Sequence, residues 1–168
     1  PICVPEGKSI PFQNEVSVRR GELLLLTVLP NGNHGADSTL VEWTIKESGG
    51  SQRIWSVSDL IPDLLKGNSW PDHDGAHWSF LETTSTPMFL TNRRDGISGQ
   101  SVLKSWSLGS EPSVFVNVSP EDLQVWTNLP ARSFFVHPGP ARPVTVAWTS
   151  PVTADLVVSG RVADAHPA

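Results

Sequence analysis

LVEWTIKESGGSQRIWSV, residues 40–57, reads as two strands and the turn between them. Val41, Trp43 and Ile45 alternate with Glu42, Thr44 and Lys46, the period of a strand with one buried and one wet face. Ser48-Gly49-Gly50-Ser51 supplies the small residues of a hairpin turn, and QRIWSV (52–57) is the returning strand.

The same period recurs outward from this hairpin. EVSVR (15–19), AHWSFLETT (76–84), PSVFVNV (112–118), DLQVWTNL (122–129), ARSFFVH (131–137), PVTVAW (143–148) and DLVVSGRV (155–162) are all predicted strands. ELLLLTVL (22–29) is a continuous apolar run, which predicts a strand buried on both faces. SDLIPDLLK (58–66) breaks the period and predicts one short helix. Ser58 would cap it, Pro62 would sit in its first turn, and Leu60, Ile61, Leu64 and Leu65 would form its apolar side. Residues 67–75 and NRRDGISGQS (92–101) read as loops. About ten short strands, separated by Pro and Gly turns, predict an all-β fold. We expect a single domain, an antiparallel β-sandwich of jelly-roll type with one short helix; a closed barrel is the alternative.

Composition narrows the function classes. Lys and Arg total 12 against 17 Asp and Glu, a net charge of −5 without a basic cluster, so no nucleic acid is expected as a partner. The longest apolar run, Leu23 to Leu26, is far too short to span a bilayer, so no membrane insertion is expected. Cys3 is the single cysteine, which excludes an internal disulfide and a thiolate metal site. A chain opening on PICVPEGK, without an initiator Met, is expected to be a piece of a longer protein.

Two polar stretches invite a chemical reading. GNHGADST (32–39) brings His34, Asp37 and Ser38 together, yet residues so close on an extended chain point to alternate faces and do not form a triad. A turn closed by Asp37, Ser38 and Thr39 is the expected structure, with Asp37 a candidate calcium ligand. WPDHDGAHW (70–78) offers Asp72, His73, Asp74 and His77 as metal ligands; the spacing matches no zinc signature and no EF-hand loop. A polar surface loop is the plainer reading, and calcium the cofactor to consider.

The tryptophans divide. Trp43, Trp78 and Trp148 share strand faces with Val, Ile or Phe and read as core. Trp126 instead shares a face with Asp122, Gln124 and Asn128, while Leu123, Val125 and Leu129 take the other. An exposed indole among amides is suited to stacking on a sugar ring. Trp70, before Pro71, is a second candidate, and Arg93 with Arg94 could grip an anionic group. His137, before Pro138, reads as structural, and no carboxylate pair stands out as a glycosidase acid and nucleophile.

GNHGADSTLVEW, PSVFVNVS, LPARSFFVHPGPARPVTVAWTSP and VVSGRVADAHP together resemble a β-sandwich segment of planctomycete-type exported multidomain proteins. Those proteins also carry a cytochrome c-like domain and domains of unknown function. The resemblance covers most of the chain, and the segment is described as similar to carbohydrate-binding or concanavalin-like jelly rolls. It implies export to the periplasm or cell surface, and a parent that binds haem c. This segment has no CxxCH and should not bind haem itself. A further edge strand is expected beyond DAHPA. The leading expectation is therefore a non-catalytic carbohydrate-binding module that recognises a polysaccharide through Trp126, Trp70, Gln124, Asn128 and Arg93. The alternative is a structural module that positions the other domains of the parent chain. A metal-dependent hydrolase using His73, Asp74 and His77 is the third reading.

Overall fold

The computed structural model describes residues 3–32, 35 and 37–166. The hairpin expected at residues 40–57 is present: Thr44, Ile45 and Lys46 pair antiparallel with Ser56, Trp55 and Ile54. Its inward residues Val41, Trp43, Ile45 and Trp55 are all buried, as the alternation requires.

In chain order the strands are β1 (Ser9–Val18), β2 (Leu23–Val28), β3 (Thr39–Glu47), β4 (Ile54–Ser56), β5 (Trp70–Pro71), β6 (His77–Glu82), β7 (Met88–Phe89), β8 (Asn92–Ile97), β9 (Gln100–Ser107), β10 (Ser113–Asn117), β11 (Leu123–Gln124), β12 (Asn128–Leu129), β13 (Ser133–His137), β14 (Val144–Thr149) and β15 (Ala154–Asp164). One sheet runs β1-β15-β3-β13-β10-β9-β8, with β4 also on β3. The other runs β2-β14-β6-β5, with β7 also on β6. The chain alternates between the sheets, and the neighbours β1-β15-β3-β13 and β2-β14-β6-β7 are the two four-stranded halves of a jelly roll. The hairpin β8–β9 and strand β10 extend the larger sheet beyond that frame.

Indole rings fill the space between the sheets. Trp43 of the large sheet meets Trp78 of the small one edge to face, with ring centroids 5.4 Å apart. Trp55 meets Trp148 at a tilt, with ring centroids 5.1 Å apart. These four, with Phe80, Phe134 and the inward Val and Leu residues, form the main core.

Several expectations are corrected. Strand β2 is not buried on both faces. It is the edge of the small sheet, and Leu23 and Leu25 are each 55 % exposed while Leu24, Leu26 and Val28 are half-buried. The expected helix is a 3₁₀ segment, Val57–Lys66, interrupted at Asp63. Its cap is Ser56, not Ser58, in a capping box with Asp59. The break at Asp63 accommodates Pro62, which sits past the first turn where a continuous helix would lose a hydrogen bond. Leu60, Ile61 and Leu64 face the core as expected. Residues 92–101 are not a loop but belong to the hairpin β8–β9, with a bulge between Asp95 and Ile97. Both faces of this edge hairpin carry polar residues, so the sequence lacks the alternation that marks a half-buried strand.

Gly160 lies at the middle of β15, between Phe12 of β1 and Trp43 of β3. A Cβ there would stand 2.0 Å from the Glu42 carbonyl oxygen and 2.8 Å from Phe12 Cζ. Gly160→Ala is therefore expected to destabilise the domain by about 1–3 kcal/mol, the usual cost of overpacking. Chemical denaturation checks this, and an unchanged midpoint would contradict the packing of β15 between its neighbours.

Candidate functional site

Strands β10 and β13 have two apolar faces. Val114, Val116, Phe134 and Val136 point into the sandwich. Phe115 and Phe135 point the other way, stacked on each other at 4.8 Å. Apolar surface left on the outer face would be exposed to water, so something must cover it. The segment 121–130 does so. It is not one strand but a small hairpin, in which Leu123 pairs with Leu129 and Gln124 with Asn128. Leu123, Val125 and Leu129 pack with Phe115, Phe135 and Leu103 into a second core.

A fully buried side chain holds the hairpin down. Asn117 Nδ2 donates to the carbonyls of Glu121, Leu129 and Pro130 at 3.0–3.1 Å, and its Oδ1 accepts the Ser119 N–H at 2.9 Å. Thr127 adds a bond from its hydroxyl to the Ala165 carbonyl. The turn Val125-Trp126-Thr127 therefore has a fixed position, and Trp126 sits at its tip, edge-on to Phe115 at 5.7 Å and 40 % exposed. The exposure expected of Trp126 is present, but its cause is a hairpin tip and not a polar sheet face. Gln124 and Asn128 are exposed on the strands behind it.

Beside the hairpin lies a cleft of about 230 Å³. Trp126 and Phe115 give it an aromatic wall; Ser105, Ser107, Ser113, Arg94, Glu111, Ser38 and His137 give it polar groups. Arg94 lines this cleft, whereas Arg93, one residue earlier on β8, lines a groove with Lys66, Asp95 and Lys104 beside the 3₁₀ segment. Arg93 is thus not near Trp126.

At one end of the cleft three elements bring polar groups together. Ser38 precedes β3, His137 ends β13 and Glu111 precedes β10. Ser38 Oγ lies 3.0 Å from His137 Nδ1, and His137 Nε2 lies 3.4 Å from Glu111 Oε1. Burial pushes the His137 imidazole below its ordinary value of 6.5, partly offset by Glu111 and Asp37. Sequence reasoning assigned His137 a structural part and kept Ser38 in the turn; it did not join them. Asp37 accepts the Asn31 N–H at 2.9 Å and so closes that turn as expected. His34 lies outside the described residues.

The other candidate residues lie elsewhere. Trp70 is 8 % exposed in the main core and donates its ring N–H to the Asp63 carbonyl at 2.9 Å, so no face is open for stacking. Its neighbour Pro71 suggested a loop; the ring instead packs inward from β5. Asp72 and His73, with Asp59, bring ligand-type atoms within 4.8 Å of one another. Each carboxylate already has a structural partner: Asp72 accepts the Trp78 ring N–H at 2.8 Å and the His73 N–H at 2.7 Å, and Asp59 accepts the Ser56 N–H at 3.0 Å. Asp74 contacts His73 at 3.3 Å. His77, at the start of β6 between Pro71 of β5 and Thr149 of β14, does not join this group of ligand atoms. The residues 72–74 pack around Trp55 and Trp78 of the main core, while Trp126 lies on the outer face of the large sheet. They do not form one site with it.

No protein-family model, no curated protein and no solved structure matches this chain. No helix among the described residues is long and apolar enough to cross a membrane.

The depressed imidazole has a consequence for stability. The unfolded chain binds a proton at His137 near pH 6.5, and the folded chain does so only at lower pH. Stability from this group is present above pH 6.5 and falls as pH drops through the folded value. His137→Gln should flatten that part of a stability–pH profile measured by thermal melting. An unchanged slope would show that His137 titrates alike in both states.

Proposed function

We propose that this domain binds carbohydrate, with the Trp126 ring as the stacking surface and the adjoining cleft as the site of hydroxyl recognition. One observation carries the reading: a rigidly held, exposed indole at the lip of a cleft rich in hydroxyls. A sugar presents an apolar ring face and a rim of hydroxyls, and this wall matches both. Arg94 and Glu111 give the cleft one donor fork and one carboxylate acceptor, a balance suited to a neutral sugar. The reading places the domain in an exported, multidomain parent at the cell surface or periplasm, which rests on the resemblance stated above.

Affinity electrophoresis through gels containing polysaccharides, sulfated algal ones included, tests this with and without EDTA. One polymer is expected to retard the domain, and Trp126→Ala should weaken that retardation at least ~tenfold, about 1.4 kcal/mol, with the fold intact. Retardation unaffected by Trp126→Ala would remove the ring from the site. Loss of retardation with EDTA would point to a calcium-held site instead.

A second reading, an inter-domain structural module, is favoured by the outer face of β2. Leu23 and Leu25 are more than half exposed there, as is Leu29 just beyond it, on an edge strand without a charged side chain. Such an edge invites pairing. The isolated domain should then self-associate or bind an apolar dye, and Leu25→Lys should abolish this without unfolding. A monomeric, dye-silent domain would contradict this second reading.

A further inference from the structure

We infer that Ser38, His137 and Glu111 form an ester-hydrolysing triad at the end of the Trp126 cleft. The argument starts from the tautomer. A carboxylate accepts and cannot donate, so Glu111 facing His137 Nε2 at 3.4 Å places the ring proton on Nε2. Nδ1 is then the unprotonated nitrogen, and it faces the Ser38 hydroxyl at 3.0 Å. This is the relation of nucleophile, base and orienter in serine hydrolases, with the two ring nitrogens exchanged. The three residues come from the start of β3, the end of β13 and the approach to β10, so the fold and not local sequence assembles them.

The surroundings suit the task. Burial favours the neutral imidazole, which keeps the base unprotonated near neutral pH. Among the described residues, the titratable and charged groups around His137 are Glu111, Asp37 and His166, with Arg94 lining the same cleft. Ser38 is 3 % exposed yet lines the cleft, which puts its hydroxyl at the floor. Arg94 lines the same cleft and donates one N–H to the Gly109 carbonyl; we assign its cation to the developing oxyanion. The cleft is small, about 230 Å³, which suits an ester with a short acyl chain. The substrate class is a short-chain acyl ester; that its alcohol part is a sugar rests on the binding proposed above, whereas the triad does not.

The steps balance. Ser38 Oγ attacks the ester carbonyl carbon as its proton passes to His137 Nδ1. The tetrahedral intermediate collapses, the bond to the alcohol oxygen breaks, and Nδ1 returns the proton to that oxygen. Water then attacks the acyl-serine, giving a proton to Nδ1. The carboxylic acid leaves and the proton returns to Ser38 Oγ. Ser38 and His137 are catalytic residues; Glu111 is a positioning residue that fixes the tautomer.

The test uses the whole chain with 4-nitrophenyl acetate and, separately, a fluorophosphonate probe followed by peptide mass mapping. Hydrolysis is expected above the rate in buffer, and Ser38→Ala should lower it by at least ~10²-fold. The probe should label the unmodified protein at Ser38, a readout that needs no variant to fold. Glu111→Gln should lower kcat and move the rising limb of the pH–rate profile to lower pH, since a charge that supports His137 protonation is gone. No label on Ser38 together with hydrolysis unchanged in Ser38→Ala would overturn the triad. Polysaccharide retardation of Ser38→Ala reports on sugar binding independently, so either idea can fail without the other.

Discussion

The outward stack of Phe115 on Phe135 is the constraint from which the functional face follows. A sheet that is apolar on one side needs one covering layer, and a sheet apolar on both needs two. The small sheet and the 3₁₀ segment cover Val114, Val116, Phe134 and Val136. The opposite side is covered by a hairpin of two-residue strands, too short to stand alone. Asn117 supplies what the hairpin lacks, taking up carbonyls from its beginning and end. The cover is partial, and where it stops Trp126 forms a lip and the cleft opens. The proposed binding surface is thus the unfinished edge of a second core.

Much of the frame was legible in the sequence because one rule, alternation against a core, governs it. Val41, Trp43 and Ile45, or Trp78 and Phe80, are buried in the faces that their spacing assigns. That rule fails where its premise fails. The hairpin β8–β9 has polar residues on both faces and shows no period. The segment 122–129 does alternate, but its turn, Val125-Trp126-Thr127, holds no Gly, Pro or Asn to announce a reversal. Leu23 to Leu26 is apolar throughout, and apolarity alone does not tell an edge strand from a central one. The 3₁₀ segment was legible in its apolar side and not in its kink.

The site was legible only in parts. Trp126 was found for its polar neighbours, which proved to be the cross-strand pair behind it. Asp72 and His73 drew attention by their chemistry, yet Asp72 serves the Trp78 ring and the backbone. Ser38 and His137 lie 99 residues apart, and nothing in either local sequence points to the other. Their meeting depends on β13 lying beside β3, a neighbour relation that follows from topology and not from spacing.

The central claim is that the cleft bounded by Trp126 is where this domain meets its ligand. Seven tryptophans give seven indole N–H signals, and Trp126 is the one ring among them with a large exposed area. The most direct measurement is a residue-assigned NMR titration with an oligosaccharide of whichever polymer retards the domain. The account predicts that the Trp126 indole moves together with the amides of Ser105, Ser107 and Ser113, while the buried indoles of Trp55, Trp78 and Trp148 stay in place. Shifts confined to residues 72–77, or to strand β2, would contradict it.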